Sequence, residues 1–242
     1  MLFIPRRKIF VFVFFITFVS VFSFASHFQS SDVFSRKPTR CIVLDAGHGL
    51  PDGGAIGKNG TIESELNLAI AKRTQNLLTK KGYKVIMTRE DEFSISKETQ
   101  SISSRKKSDM RARLEIINTS DADMFVSIHM NKFTSPLYCG AQVIYSPNFR
   151  DSELLAEIIQ RQLCALEDNK SKRSHLKAAD GIFLLKNAKI PAVIIECGFL
   201  SNFDEEQLLN TKEYQKALSV AIADGIDKYY ERIEGNENLR DR

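Results

Sequence analysis

The chain has 242 residues, of which 43% are apolar and 26% are charged. This composition allows one sizeable core and excludes a largely disordered chain. The formal net charge is +4, but three basic residues lie at positions 6–8, and without them 31 basic residues remain against 30 acidic ones. So small a charge gives no support to a nucleic-acid partner, and we expect none.

Residues 1–25 are predicted to be a signal peptide. The basic residues at 6–8 precede an apolar run, and Ser23 and Ala25 occupy the −3 and −1 positions of a small-residue cleavage site. The alternative is an uncleaved anchor, but the apolar run at 9–24 has 16 residues, interrupted by Thr17, Ser20 and Ser23, and is shorter than the roughly 20 that span a bilayer. With either outcome we expect the rest of the chain to work outside the cytoplasm and to meet the membrane only through this segment.

Residues 26–40 are polar and are predicted to be a linker, after which strand-like and helix-like segments alternate. The predicted strands are residues 41–45, 84–88, 124–129, 141–145, 181–185 and 192–196. The predicted helices are residues 63–81, 109–118 with Ser108 as N-cap, 152–166 and 211–230. Residues 94–107 are interpreted as an exposed loop, and residues 233–242 as a charged tail.

This alternation predicts the fold class. Strands that alternate with helices indicate a single α/β domain over residues 41–232, with a mainly parallel (mixed) twisted sheet of about six strands and helices on both faces. The four cysteines lie on apolar segments or apart from any Cys/His cluster. Buried free thiols are therefore favoured over disulfides, and a cysteine-built zinc site is not indicated.

Four residues able to bind metal or move protons are predicted to meet at one edge of the sheet. His48 follows the first strand, and His129 and Glu196 end two others, and ligand sites in α/β sheets gather at the carboxyl ends of strands. Glu63 begins the helix after the glycine-rich loop and can reach back towards His48. Two histidines and one carboxylate are typical of a catalytic zinc site, and a further carboxylate can transfer protons.

Spacing alone leaves alternatives open, because the chain has no compact HExxH motif. Glu63 could merely favour the helix N-terminus, and Glu65 could compete with it for a metal. Asp45 could orient a ligand histidine. The glycine-rich loop has neither GxGxxG nor a GK[ST] ending, so nucleotide binding is disfavoured.

Four segments resemble, in the same order, the motifs of the zinc-dependent N-acetylmuramoyl-L-alanine amidases of bacterial cell walls. They are residues 43–49 (VLDAGHG), 60–63 (GTIE), 127–131 (SIHMN) and 191–202 (PAVIIECGFLSN). The resemblance implies that His48, Glu63 and His129 bind one Zn²⁺ and that Glu196 is the general base and acid. It also implies the bond that is cut, the amide between N-acetylmuramic acid and L-alanine, and hence release of stem peptides in cell-wall remodelling or cell separation.

The resemblance also shapes the expected setting and partners. It implies peptidoglycan or its muropeptides as substrate, a place in the periplasm or at the bacterial cell surface, and a division-complex or activator protein as a candidate partner. The sequence departs from the family pattern at Leu50, where a glycine is usual, and at Cys197, a thiol that could compete for metal. Two other functions stay open: a zinc peptidase acting within the stem peptide, and a catalytically silent peptidoglycan-binding protein.

Overall fold

Six strands form one mixed sheet. The computed structural model describes residues 39–96, 101–168, 174–178 and 181–240, without the side chains of residues 102 and 236–240. The strands are β1 (Cys41–Ala46), β2 (Lys84–Met87), β3 (Met124–Asn131), β4 (Gln142–Tyr145), β5 (Leu176–Lys177) and β6 (Ala192–Phe199). Their order across the sheet is β2-β1-β3-β6-β4-β5, and only the β4–β6 pair is antiparallel. The predicted signal peptide and the linker up to residue 38 lie outside the described residues.

Six helices are described. They are α1 (Glu63–Lys80), α2 (Ile102–Thr119), α3 (Arg150–Cys164), α4 (Phe183–Asn187), α5 (Phe203–Leu209) and α6 (Lys212–Arg240). The first helix shows why the sequence folds this way: it buries Leu66, Ile70 and Leu78 on one face, as helical spacing dictates. It ends before Gly82, whose φ of 93° lies in the left-handed region that glycine adopts without steric cost.

The helices cover both faces of the sheet, as predicted. Ile42 and Leu44 of β1 point into a core that α1, α3 and α6 complete. Val43, between them, points to the opposite face and joins a second core with Ile117 of α2 and Leu185 of α4. Because both faces of β1 are covered, its six residues are all buried, which explains why residues 41–44 form a continuous apolar run rather than an alternating one.

One predicted strand is wrong. Residues 181–185 do not form a strand, because residues from Phe183 onwards form the short helix α4, and Leu184 and Leu185 pack into the second core. A short apolar run fits a buried strand and a buried helix turn equally well. The fifth strand in chain order is instead β5, which has two residues and pairs with β4. Both residues of β5 are exposed, and so short a strand has no apolar pattern from which it could be predicted.

The start of α2 also differs from the prediction. The helix begins at Ile102, and its N-cap is Ser101, whose hydroxyl accepts a hydrogen bond from the main-chain N–H of Ser104 at 3.1 Å. The predicted loop at 94–107 is therefore wrong from residue 101 onwards. The predicted N-cap at Ser108 is also wrong, because this residue lies inside the helix. The first turns of α2 are largely polar and are exposed or half-buried, so they show no apolar periodicity from which a helix could be recognised.

The other predicted strands and helices are present, with shifted bounds. Helix α5 was not predicted, and residues 233–240 continue α6. All four cysteines are free; Cys41 and Cys197 are buried, while Cys139 and Cys164 are half-buried. Among the described helices, none combines the length and the apolar character needed to cross a bilayer.

Candidate metal centre

The carboxyl ends of three adjacent parallel strands bring the predicted site residues together. His48 lies two residues beyond the end of β1, and His129 and Glu196 face each other in the register of β3 and β6. Glu63 is the first residue of α1, which follows the loop from β1. All four residues are thus where the sequence predicts them, at one edge of the sheet.

Glu63 lies between the two histidines. Its Oε1 atom is 3.3 Å from Nε2 of His48 and 3.0 Å from Nδ1 of His129. The two imidazole rings stand edge to face with their centroids 5.0 Å apart. One ligating atom from each of the three residues falls within 4.8 Å of the others, and no other such group of three or more occurs among the described residues.

The Glu63 carboxylate is fixed by the main chain around it. It is 3% exposed, its Oε2 accepts the N–H of Ala55 at 2.7 Å, and its Oε1 accepts the N–H of Met130 at 3.2 Å. Burial by itself raises the pKa of Glu63, but hydrogen bonds with His129 and His48 lower it by more, so that it lies well below its ordinary value. Glu63 is therefore held as an anion facing both rings.

His48 has an unusual main-chain conformation. Its φ is 59°, in the left-handed region that non-glycine residues rarely adopt. On the side of the ring away from Glu63, Nδ1 lies 3.4 Å from Oδ2 of Asp52. Burial raises the pKa of Asp52, but the charges of His48 and Lys106 lower it below the ordinary value. A carboxylate at Nδ1 fixes the ring orientation and leaves Nε2 free to face Glu63.

Asp45 does not orient a histidine, contrary to the possibility raised from the sequence. It is fully buried and binds Arg113, the Thr88 hydroxyl and the Ser127 hydroxyl instead. Arg113 was missed in the sequence, as was Asp52 as the partner of His48. Asp52 lies four residues after His48 in the same loop, and this spacing was the one feature of the sequence that could have indicated their contact.

Two glycines leave the space that the site residues occupy. A Cβ on Gly47 would lie 2.2 Å from Cε1 of His129, and a Cβ on Gly54 would lie 2.5 Å from Oε2 of Glu63. Gly54 also has a φ of 75°. Neither position has room for a side chain, so the site requires glycine at both.

Glu196 lies on the neighbouring strand β6, directly opposite His129. The residue is half-buried, and its Oε2 atom is buried without a hydrogen-bond partner among the described residues. Burial raises its pKa, and the charge of Glu63 adds to this, although His129 and His48 act in the opposite direction. A buried carboxylate oxygen that has no partner is costly, and a proton or a substrate group at this position would satisfy it.

The donor set fits a zinc ion. Two imidazoles and one carboxylate around a common point, with a further coordination position left for water or substrate, are typical of catalytic zinc. The competing candidates lie apart from this group: Glu65 is exposed, and Cys197 is fully buried with a pKa that burial raises above the ordinary value of a thiol. A thiol that remains protonated is a poor metal ligand.

Comparison with known proteins agrees with this geometry. Residues 42–228 match the model of the Amidase_3 family, described as N-acetylmuramoyl-L-alanine amidase. The chain belongs to this amidase family. It is 36% identical over 219 residues to the germination-specific N-acetylmuramoyl-L-alanine amidase of Bacillus subtilis, covering 88% of this chain and 90% of that protein. It is 28% identical over 233 residues to the Escherichia coli amidase AmiA, covering 79% and 76%.

Solved structures give the same result. The structure of the CwlD amidase from Clostridioides difficile, determined in complex with the GerS lipoprotein, is 42% identical with a TM-score of 0.76, and the match covers 80% of this chain and 99% of that one. An N-acetylmuramoyl-L-alanine amidase from Clostridium difficile 630 is 30% identical with a TM-score of 0.70, covering 81% and 98%. The protein is thus an N-acetylmuramoyl-L-alanine amidase that hydrolyses peptidoglycan, with a single metal site and an extracytoplasmic place of action. The peptidase and silent-protein alternatives receive no support.

Proposed function

We propose that this amidase binds one zinc ion through His48, Glu63 and His129, and that Glu196 is its general base and acid. The observation that carries the proposal is the position of Glu63 Oε1, 3.3 Å from Nε2 of His48 and 3.0 Å from Nδ1 of His129. A zinc ion bound there supplies Lewis acidity, which polarises a carbonyl group and lowers the pKa of water. The amidase residues supply the remaining chemistry.

Glu196 is suited to proton transfer because of its surroundings. Its Oε2 atom is buried without a partner in the described part of the chain, and its strand position is opposite His129. Burial raises the pKa of this carboxyl group, and a general base works best when its pKa approaches the operating pH. Glu63 differs, since its hydrogen bonds stabilise the anion. The two carboxylates therefore have different roles.

The proton balance of the reaction follows from these roles. Glu196 accepts a proton from the attacking water as the new carbon–oxygen bond forms at the lactyl carbonyl of N-acetylmuramic acid. It then gives that proton to the nitrogen of L-alanine as the carbon–nitrogen bond breaks. The products are the lactyl carboxylic acid on the glycan and a stem peptide with a free amino group, and Glu196 returns to its starting state. The acid then loses its proton to the amine or to solvent and becomes a carboxylate.

The test compares the wild-type amidase with Glu196→Gln on purified peptidoglycan. Zinc content is measured by mass spectrometry of the metal, and soluble products by mass spectrometry of the peptides. We expect stem peptides beginning at L-alanine from the wild type, none after a chelator, and recovery on adding zinc. Glu196→Gln should keep its zinc and lose roughly 10²- to 10⁴-fold in turnover. Substantial activity of this variant would refute the role of Glu196. Wild-type activity that survives the chelator would refute the requirement for a metal ion.

The route to the cell wall is also proposed. Residues 1–25 would direct export and be removed, leaving the amidase at the cell surface or in the periplasm. The N-terminal sequence of the protein recovered from its host tests this: a start at Ser26 supports cleavage, whereas an intact residue 1 in the membrane fraction would support an anchor.

The process and partner are proposed from the relatives. The Bacillus subtilis protein at 36% identity is named germination-specific, so we favour cell-wall remodelling in germination over cell separation. The Clostridioides difficile amidase was solved with a lipoprotein, which favours a lipoprotein partner here. Deletion in the host distinguishes the processes: dormant spores that fail to germinate support the first, and chains of unseparated cells support the second.

A further inference from the structure

Two buried arginines lie beneath the site. Arg113 is fully buried and Arg89 is 4% exposed, and arginine is almost never so buried unless it is paired. Arg113 has carboxylate partners, Asp45 and Asp109. Arg89 differs, because its hydrogen bonds within the described residues all go to main-chain carbonyl oxygens, at distances of 2.7–3.1 Å. A buried charge used in this way orients peptide groups.

The two guanidinium groups bind three successive carbonyl groups, those of residues 46–48. Ala46 O accepts from Arg89 Nε at 2.8 Å and from Arg113 Nη1 at 3.0 Å. Gly47 O accepts from Arg89 Nη2 at 3.1 Å, and His48 O accepts from Arg113 Nη2 at 2.5 Å. Every carbonyl from the end of β1 to His48 is therefore fixed by an arginine.

These hydrogen bonds hold the main chain where His48 has an unfavourable conformation. A φ of 59° is sterically disfavoured for a residue with a Cβ, and such residues persist only where the surrounding contacts impose them. Arg113 bonds the carbonyl of the strained residue itself. Without these contacts, the peptide could relax and turn the imidazole away from Glu63.

Arg89 also joins two segments that carry the proposed ligands. Its Nη2 atom donates to Gly47 O at 3.1 Å and to Ser64 O at 2.8 Å. Gly47 precedes His48, and Ser64 follows Glu63. This nitrogen therefore links the turn that presents the histidine to the first turn of the helix that presents the carboxylate. Asn67 Nδ2 makes a parallel link, since it donates to Gly47 O at 3.0 Å and to Glu63 Oε1 at 3.3 Å.

We propose that Arg89 and Arg113 are positioning residues that hold His48 and Glu63 at the spacing one zinc ion requires, and so set the zinc affinity of the amidase. The inference rests on the proposed zinc site. Lysine cannot replace either arginine, since one ammonium nitrogen cannot reproduce the planar set of donors that a guanidinium directs at several carbonyl groups.

The test uses Arg89→Lys and Arg113→Lys in the full chain, with Thr88→Val and Ser127→Ala as matched controls. Both control hydroxyls donate to Asp45, within the same buried network, so their loss disturbs the network but removes none of the carbonyl contacts. Thr88 Oγ1 also accepts a hydrogen bond from Arg113 Nη1 at 3.5 Å, so Ser127→Ala is the control that leaves the hydrogen bonds of both arginines in place. The zinc dissociation constant is measured by competition with a chromogenic chelator, and thermal unfolding is followed without metal.

Arg89→Lys should weaken zinc binding about 10- to 100-fold, the range found when groups that orient metal ligands are removed. The controls should unfold at lower temperature than the wild type and keep its zinc affinity. Equal affinity of Arg89→Lys and wild type, or an equal loss in the controls, would overturn the inference. If Arg113→Lys does not fold, the zinc affinity of Arg89→Lys alone tests the inference. A wild-type amidase that binds no zinc would instead refute the metal site, and the inference with it.

Discussion

Glu206 and Asn59 are 147 residues apart in the sequence, yet both carboxylate oxygens of Glu206 accept the main-chain N–H of Asn59, at 3.0 Å and 3.2 Å. The N–H of Thr61 adds a third contact at 3.4 Å. Glu206 is fully buried and fills the space beside Gly57, where a Cβ would lie 2.1 Å from its Oε1. Helix α5 therefore anchors the loop that leads directly into Glu63.

The neighbouring residue of α5 anchors a second loop. Glu205 accepts the N–H of Gly140 at 2.6 Å and the N–H of Phe199 at 2.8 Å. Gly140 belongs to the loop after β3, and Phe199 ends β6, the strand that carries Glu196. Two adjacent carboxylates on one seven-residue helix thus support both sides of the site.

Replacing Glu206 with glutamine should destabilise the fold. The amide of Glu206→Gln has the size of the carboxylate, but it turns an NH₂ group towards N–H donors and leaves a buried donor unsatisfied. We expect the free energy of unfolding to fall by about 1–3 kcal/mol, measured by urea denaturation. Glu213→Gln, at an exposed position in the first turn of α6, should change it by less than about 0.5 kcal/mol. Equal midpoints for the two variants would contradict this prediction.

Glu63 and Glu65 should differ sharply in their effect on metal binding. Glu63 is 3% exposed and faces both histidines, whereas Glu65 is exposed on the same helix. Glu63→Gln should lose zinc on dialysis, and Glu65→Gln should retain one zinc ion per chain, as measured by atomic absorption. The reverse result would assign the ligand to Glu65, the alternative that spacing alone left open.

The site could be predicted because three of its residues lie near the carboxyl ends of strands. Once the strands that end at His129 and Glu196 were recognised from their apolar runs, parallel pairing required that their carboxyl ends meet, and the register His129–Glu196 confirms it. The order of the strands did not follow from the runs, since β6 inserts between β3 and β4. Such pairing depends on tertiary packing, which local patterns do not contain.

The support beneath the site was not predicted, for a physical reason. Arg113 lies in a polar stretch, where an arginine is expected to be exposed. Its burial depends on Asp45, which is 68 residues away. Phe183 and the leucines after it illustrate the opposite difficulty, because their apolar character was evident but did not distinguish a strand from a helix.

Gly47→Ala should damage the site rather than the fold. The added methyl would lie 2.2 Å from the ring of His129, so the imidazole must move away from Glu63. We expect loss of zinc binding together with loss of peptidoglycan hydrolysis. Gly181→Ala is the control, because a Cβ there meets no atom within 4 Å. Zinc titration of both variants is the measurement, and wild-type affinity in Gly47→Ala would show that the ring can be displaced without cost.

Asp45 should make stability depend on pH. Burial raises its pKa, but the charges of Arg113 and His129 and the hydrogen bonds from the Ser127 and Thr88 hydroxyls together lower it by more. Its pKa in the folded protein is therefore below that of the unfolded chain, about 3.9. The stabilisation is fully present above the unfolded pKa and is lost as the pH falls through the folded pKa.

Asp45→Asn should accordingly lower the free energy of unfolding most at neutral pH, by about 3–5 kcal/mol, because it breaks a buried ion pair and leaves Arg113 with fewer acceptors. The difference from wild type should shrink as the pH falls below about 4. Urea denaturation of the metal-free proteins from about pH 7 to about pH 3 measures it, with Asp121→Asn, at an exposed position, as control. A difference that stays constant over this range would mean that Asp45 stabilises the fold through packing rather than through its charge.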